Sequence, residues 1–295
     1  MKTEVEWPTL AMLAATYIAW IVGTTTLASI SLWLAVPVTA IAIAQFSSLQ
    51  HEAIHGHPFR NPKLNALLVF PALILVIPYA RFRDQHLAHH RDSDLTDPFD
   101  DPESNYLAPE TWQDLPRIAR TLLNANNTLA GRMLLGPAIG TVIFLATELR
   151  DARQNPRIVR GWAWHLAALI PVVLWLWFLS PMSFWAYGLA CYGAMSLLRI
   201  RTFLEHQAHE RARCRTVIID EKGPLAILFL MNNFHVVHHM HPRVPWYRLP
   251  TLYRGNKERY LRRNGAYQYR SYAEVFRLYL FRRKDPVPHP LRPAG

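Results

Sequence analysis

Cysteine is nearly absent. Of 295 residues only Cys191 and Cys214 carry a thiol, one in an apolar run and the other in an arginine-rich stretch. That argues against a disulfide framework and against thiolate-based metal or redox chemistry. No G-x-G-x-x-G dinucleotide fingerprint occurs, and no segment reads as a fused haem domain. Met1–Pro8 holds Lys2, Glu4 and Glu6 but no small-residue cleavage site, so a removable signal peptide is not expected and a helix from Leu10 reads as a retained anchor. Internal repeats and low-complexity tracts are also missing, and the proline-rich Pro286–Gly295 reads as a frayed tail.

Acidic residues are outnumbered by basic ones only in the last third. From Arg199 to Gly295, 19 Lys and Arg stand against 7 Asp and Glu, whereas the preceding residues hold the other 13 and 14. A net charge of +11 invites a nucleic-acid reading, but here the excess follows hydrophobic spans. The positive-inside rule accounts for it better and puts region 199–295 in the cytoplasm, so no nucleic-acid partner is expected.

What is plentiful is apolar surface: 51% of the residues are hydrophobic, with 10 Trp and 12 Tyr. Crossing the hydrocarbon core takes ~20 helical residues, and six runs approach that length: 10–27, 31–47, 64–80, 133–147, 162–179 and 182–198. Histidines cluster beyond some of these runs, at 51–57, 86–90, 206–209 and 235–241. If they form one site, they share one side of the membrane, and the crossings between them must be even in number. Segment 64–80 is short and carries Pro71 and Pro78, so it reads as re-entrant or interfacial. Segment 133–147, with Gly136, Pro137 and Gly140, reads as interfacial too. The expectation is an all-α integral membrane protein: four spans in two hairpins (10–27, 31–47, 162–179, 182–198), interfacial helices and a cytoplasmic histidine-bearing cap. Residues 91–127, acidic at first with Asp92, Asp94, Asp97, Asp100, Asp101 and Glu103, belong to that cap rather than to a separate domain.

Eight of the 14 histidines fall into three patterns: His51-x-x-x-His55, His86-x-x-His89-His90 and His235-x-x-His238-His239. Spacings of three and four stack imidazoles on one helical face, so several helices can aim two or three nitrogens each at a metal. A single pair of this kind reads as an interfacial or hydrogen-bonded pair; three together read as a metal site. The first pattern also spells H-E-x-x-H, a zinc-protease signature with Glu52 as base. Zinc catalysis needs three protein ligands and an open position, and eight or nine imidazoles exceed that but suit two ions. Imidazole alone does not choose among Fe, Cu, Zn and Ni. Bis-histidine haem is disfavoured by placement, since only His165 lies within a candidate span.

The order H-x-x-x-H, H-x-x-H-H, H-x-x-H-H, with hydrophobic hairpins between, resembles the integral-membrane fatty acid desaturase/hydroxylase superfamily. "RTFLEHQAHE" at 201–210 is similar to that family's extra histidine motif, and "HHMHPRVPWYRLPTLY" to its continuation of the third box. The resemblance runs from Leu10 to about Tyr253, so the chain reads as a single desaturase-like domain over residues 1–295. It implies a non-haem centre of two Fe ions at the cytoplasmic face, with O2 as co-substrate. Its ligands would be His51, His55, His86, His89, His90, His206, His235, His238 and His239, with His209 a weaker candidate one turn on. Glu52, Asp84 and Glu205 would orient imidazoles through their second nitrogen, or else face solvent or a nearby Arg. Asn232 and Asn233 would bond a ligand or a bound water, and His57 and His241, each followed by proline, would support the site. No catalytic residue is expected beyond the metal centre.

The reaction implied is C–H oxidation of a lipid or fatty acyl chain, desaturation first, with a hydroxylase or ketolase acting on a lipid, alkane or carotenoid as the alternative. A membrane zinc protease is a remote third reading. Trp162, Trp164, Trp175, Trp177 and Trp185 either line a substrate channel or anchor the helices at the interface. The basic, aromatic stretch Arg243–Tyr253 would hold an anionic headgroup, or simply follow the positive-inside bias. A separate electron donor of ferredoxin, rubredoxin or cytochrome type is implied, docking on the basic C-terminal region. The setting expected is a prokaryotic cytoplasmic membrane, with both termini and the metal site on its cytoplasmic side.

Overall fold

The computed structural model describes residues 5–91 and 93–292; Lys2, Glu4, Asp92 and the last residues of the proline-rich tail, 293–295, lie outside them. Regular structure is almost wholly helical. The long helices are α1 (Trp7–Ile30), α2 (Leu32–Ile54), α3 (Tyr79–His89), α4 (Gly136–Asp151), α5 (Pro156–Phe178) and α6 (Phe184–Thr202). Shorter ones include α7 (His235–Met240) and α8 (Tyr272–Tyr279). The described strands form one two-residue parallel ladder, Ile218–Ile219 on Gln268–Tyr269.

Among the described residues, α1, α2 and α5 are long and apolar enough to cross a membrane. Their outward side chains are large and bare, with Trp33, Ile18, Leu166 and Phe178 all exposed, as suits helices whose solvent is lipid. The fourth expected span, 182–198, falls on α6 from Phe184 onward, and α6 is not one of the three. Tyr, Gly and Ser residues and the terminal Arg199 and Arg201 lower its hydropathy.

The chain divides into two compact units, residues 1–84 with 138–197, and residues 85–137 with 198–295. In the first unit α1 and α2 form a close hairpin joined at Ser31, whose backbone turns extended (φ −162°, ψ 125°). A Cβ on Gly23 would lie 2.5 Å from Thr39 Oγ1, so glycine permits this approach. Gly23–Leu27 is a π-turn within α1. Its Thr24 hydroxyl accepts from Trp175 Nε1 of α5 at 3.0 Å.

Segment 64–80 is broken: Pro62–Leu68 is helical, 69–78 is irregular, and α3 starts at Tyr79. Irregular backbone survives among apolar helices only where its polar groups are satisfied by protein. Several of them are met here by neighbouring helices. Tyr17 OH donates to Leu68 O (2.7 Å), Tyr187 OH to Leu73 O (2.9 Å) and His165 Nε2 to Leu75 O (2.8 Å). Ala72 N donates to Ala168 O at 3.0 Å. His165, the one histidine within an expected span, thus serves the backbone.

At one end of this unit Arg81 Nε and Nη2 meet the Glu148 carboxylate at 2.8 and 3.0 Å, and Trp162 Nε1 donates to the same carboxylate at 3.1 Å. The pair links α3, α4 and α5 and is buried. Trp162 and Trp175 therefore serve as hydrogen-bond donors to neighbouring helices, while Trp164, Trp177 and Trp185 are exposed.

In the second unit α7 sits in an apolar core with Phe234, Val237, Leu249, Tyr253 and Tyr260. The stretch Arg243–Tyr253 is built into this core through Leu249 and Tyr253, both 1% exposed. The proline-rich end departs from expectation. Residues 286–292 do not fray: Val287 O accepts from Leu107 N (3.0 Å), His289 N donates to Leu107 O (2.9 Å), and Val287 and His289 are buried. Proline lacks an amide donor but keeps its neighbours' backbone extended, so such a segment can dock edge-on.

Candidate metal centre

Box one closes α2. The apolar pattern ends near Ser47, yet the helix runs on to Ile54, carrying buried Gln50, His51 and Glu52. His51 and His55 share a face, with ring centroids 4.8 Å apart. Glu52 is 3% exposed and its Oε1 lies 3.7 Å from His51 Nδ1. Glu6 Oε1 accepts from His57 Nδ1 at 2.8 Å, which ties the start of α1 to the residues just after box one.

Boxes two and three bring their histidines together in the second unit, in two sets. His86, His90 and His238 place their ligand atoms within 4.8 Å of one another, and so do His89, His206, His235 and His239. Within the sets, Nε2 faces Nε2: 3.0 Å for His86–His90, 3.2 Å for His90–His238, 2.8 Å for His89–His206 and 3.0 Å for His206–His235. The sets adjoin, since the His90 and His239 rings stack with centroids 4.3 Å apart.

The other ring nitrogens explain the orientation. A carboxylate only accepts, so Nδ1–H of His89 donates to Asp101 (2.8 Å) and that of His86 to Glu103 (3.1 Å). His235 Nδ1 meets Asn232 Oδ1 at 3.1 Å; Asn232 in turn donates to Glu205 (3.0 Å), which faces Arg201. Each chain of bonds leaves Nε2 turned inward. Burial opposes the His89 cation, but Glu103 and Asp101 outweigh it and push its pKa up to about 9. Glu103, though burial acts the other way, is held well below the usual carboxylate range by His89 and His86. Burial lowers His206 and His235 far below the ordinary imidazole value, aided by neighbouring histidines.

Such a donor set fits a transition-metal ion. Two nitrogens sharing an ion at ~2.1 Å stand about 3 Å apart, which is the spacing of these Nε2 pairs. Imidazoles whose Nδ1–H is tied to carboxylate or amide oxygen are the usual form of a metal-binding histidine.

The remaining expected residues lie elsewhere. Asp84 faces Arg81 (3.4 Å) and Arg83 (2.8 Å). Asn233 Nδ2 braces the carbonyls of Ile219 (2.7 Å) and Glu221 (2.8 Å). His209 Nδ1 accepts from Arg211 N at 3.0 Å and stands outside both sets. His241 packs edge-on against Tyr260. Asp101 and Glu103 were not among the expected site residues; their signal was a D-x-E within the acidic stretch that follows box two.

The fatty acid desaturase family model matches residues 7–271. Two beta-carotene ketolases, from Paracoccus sp. strain N81106 / MBIC 01143 and strain PC1, are similar at 26% identity over 234 residues and 25% over 232, each match covering 74% of this chain and 74% of the relative. With the apolar helices and convergent histidines these matches close the question of class: the chain belongs to the fatty acid desaturase family and is a membrane oxidoreductase.

Proposed function

We propose that this protein is an O2-dependent di-iron oxidoreductase that attacks a C–H bond of a lipid-soluble chain. The observation that carries the reading is the pair of adjoining imidazole sets in the second unit, His86, His90 and His238 beside His89, His206, His235 and His239. On this reading His51 and His55 supply the remaining ligands of the first set, and Glu52 becomes a buried acid beside box one rather than a protease base. Two irons held there supply oxidation of an unactivated C–H bond with O2. The chain itself holds the imidazoles in one tautomer through Asp101, Glu103 and Asn232.

The substrate enters from the bilayer, because α1, α2 and α5 are bare along their outer faces and α2 ends in box one. The ketolase relatives favour oxygen insertion, on a carotenoid-like or other apolar chain; the family's description favours desaturation as the second reading. We also take α6 as a fourth span, with both termini and the metal site cytoplasmic. A separate one-electron donor docks on the basic C-terminal region.

Detergent-purified protein is expected to hold about two irons per chain; one zinc and no iron would sink the proposal. The outcome of the reaction is read by expressing the chain under 18O2 and profiling lipids and carotenoids. A product 18O atom identifies hydroxylation or ketolation, and an added double bond without label identifies desaturation.

A further inference from the structure

His206 differs from the three other imidazoles of its set. His89 lies on α3, and His235 and His239 on α7. His206 follows the end of α6 at Thr202, outside any helix. The Nδ1 atoms of His89 and His235 are bonded to Asp101 and Asn232, whereas His206 Nδ1 is buried with no hydrogen-bond partner among the described residues. Its Nε2 nevertheless points at those of His89 and His235. Among the described residues no side chain holds this ring from behind at Nδ1, so the main chain must aim it.

That main chain is held from two sides. On one side Gln207 N donates to Arg215 O (3.0 Å) and Val217 N to Glu205 O (3.1 Å), making His206 and Thr216 an antiparallel bridge. On the other, the ammonium of Lys284 donates to the carbonyl of His206 itself. The Lys284 side chain is only 10% exposed, and a cation is buried at high cost unless acceptors meet it. Around it the C-terminal strap is laced down: Lys284 N donates to Asn127 O (3.1 Å), and Asn127 Nδ2 to Asp285 O. Tyr106 OH donates to Asp285 and accepts from Ala208 N (3.0 Å), two residues beyond His206.

We propose that Lys284 is a positioning residue for the metal centre: its ammonium, delivered by the C-terminal strap, fixes the peptide of His206, the one ligand of its set that no helix carries. This rests on the di-iron reading above. It follows that the strap governs one ion, the one held by His89, His206, His235 and His239, and leaves the other in place.

The test compares the full chain with Lys284→Met, His206→Ala and Arg292→Ala, each purified in detergent. Iron is counted by elemental analysis, and cobalt(II) is titrated into metal-free protein and followed by its visible absorption. The parent is expected to bind two ions. Lys284→Met is expected to keep one and bind the other about 10- to 100-fold more weakly, the range usual when a supporting contact of a metal ligand is removed. Its cobalt spectrum should match that of His206→Ala. Arg292→Ala, which cuts the far end of the strap at Asp97, is expected to keep both ions. Lys284→Met with two ions at parental affinity would overturn the inference. So would loss of both ions, or earlier melting of its metal-free form, since either gives Lys284 a general structural role. A parent chain that binds no iron would defeat the di-iron reading itself, a result separate from all of these.

Discussion

Asp101 accepts from His89 Nδ1 and from the backbone amides of Thr96 and Glu103, at 2.8, 2.9 and 2.9 Å. Those amides hold the carboxylate still, and the carboxylate holds the ring. Asn at this position keeps the volume but removes the charge, and its NH2 group must oppose one of the donors, His89 or the Thr96 amide, that the two carboxylate oxygens accept from. Asp101→Asn is therefore expected to weaken the ion bound by the His206 set by about 10- to 100-fold, or roughly 1.4 to 2.7 kcal/mol. Chelator competition on the cobalt form would measure it, and an affinity equal to the parent's would refute the assigned role. The histidines were legible in the sequence because spacings of three and four report on neighbours along one helix. Asp101 lies twelve residues beyond His89, and the turn that returns it to the ring leaves no periodic mark. The same limit explains Asp84: two residues from His86 in sequence, it turns to Arg81 and Arg83 instead.

Among the elements, α3, α4 and α5 meet at Arg81, Glu148 and Trp162. The Glu148 side chain is 3% exposed and that of Arg81 11%, so loss of Glu148 leaves a buried guanidinium with only the longer, 3.4 Å contact to Asp84. Glu148→Leu is expected to destabilise the protein by about 3 to 5 kcal/mol. Adding Arg81→Met should recover most of that loss, because a buried ion pair replaced by apolar volume is often close to neutral. Thermal unfolding of the three variants in detergent decides it; a double variant no more stable than Glu148→Leu would contradict this account of the contact. Helix existence was legible from the apolar runs, but helix ends were not. α5 begins at Pro156, capped by the Asn155 side chain on Arg157 N (3.1 Å), six residues before the apolar run from Trp162. Capping chemistry places that end, while hydropathy marks only the part suited to lipid. In α2 the mismatch falls at the other end, where the helix runs past its apolar stretch to carry His51.

For the whole molecule, the class of protein, the helical build and the histidine boxes could be read from one sequence, since each rests on local pattern. The docked end of the chain could not. Its prolines suit a free tail and a pinned strap equally, and the choice rests on Leu107, Asn127 and Tyr106, more than 150 residues away. The bilayer arrangement rests on arguments of a different kind. One is that a single site requires an even number of crossings between the histidine clusters. The other is the 19 basic against 7 acidic residues from Arg199 onward, a segment the positive-inside rule retains in the cytoplasm. With α6 as the fourth span, a fluorescent protein fused after the C-terminus is expected to light up in a bacterial host. Alkaline phosphatase fused near Ser31, or near Ser180, is expected to be active, because both turns would face the opposite side. If α6 does not cross, the C-terminal fusion reverses: phosphatase becomes active there and fluorescence is lost. That result would also separate box one from box three by a membrane, so a single fusion series bears on the topology and on the shared metal centre together.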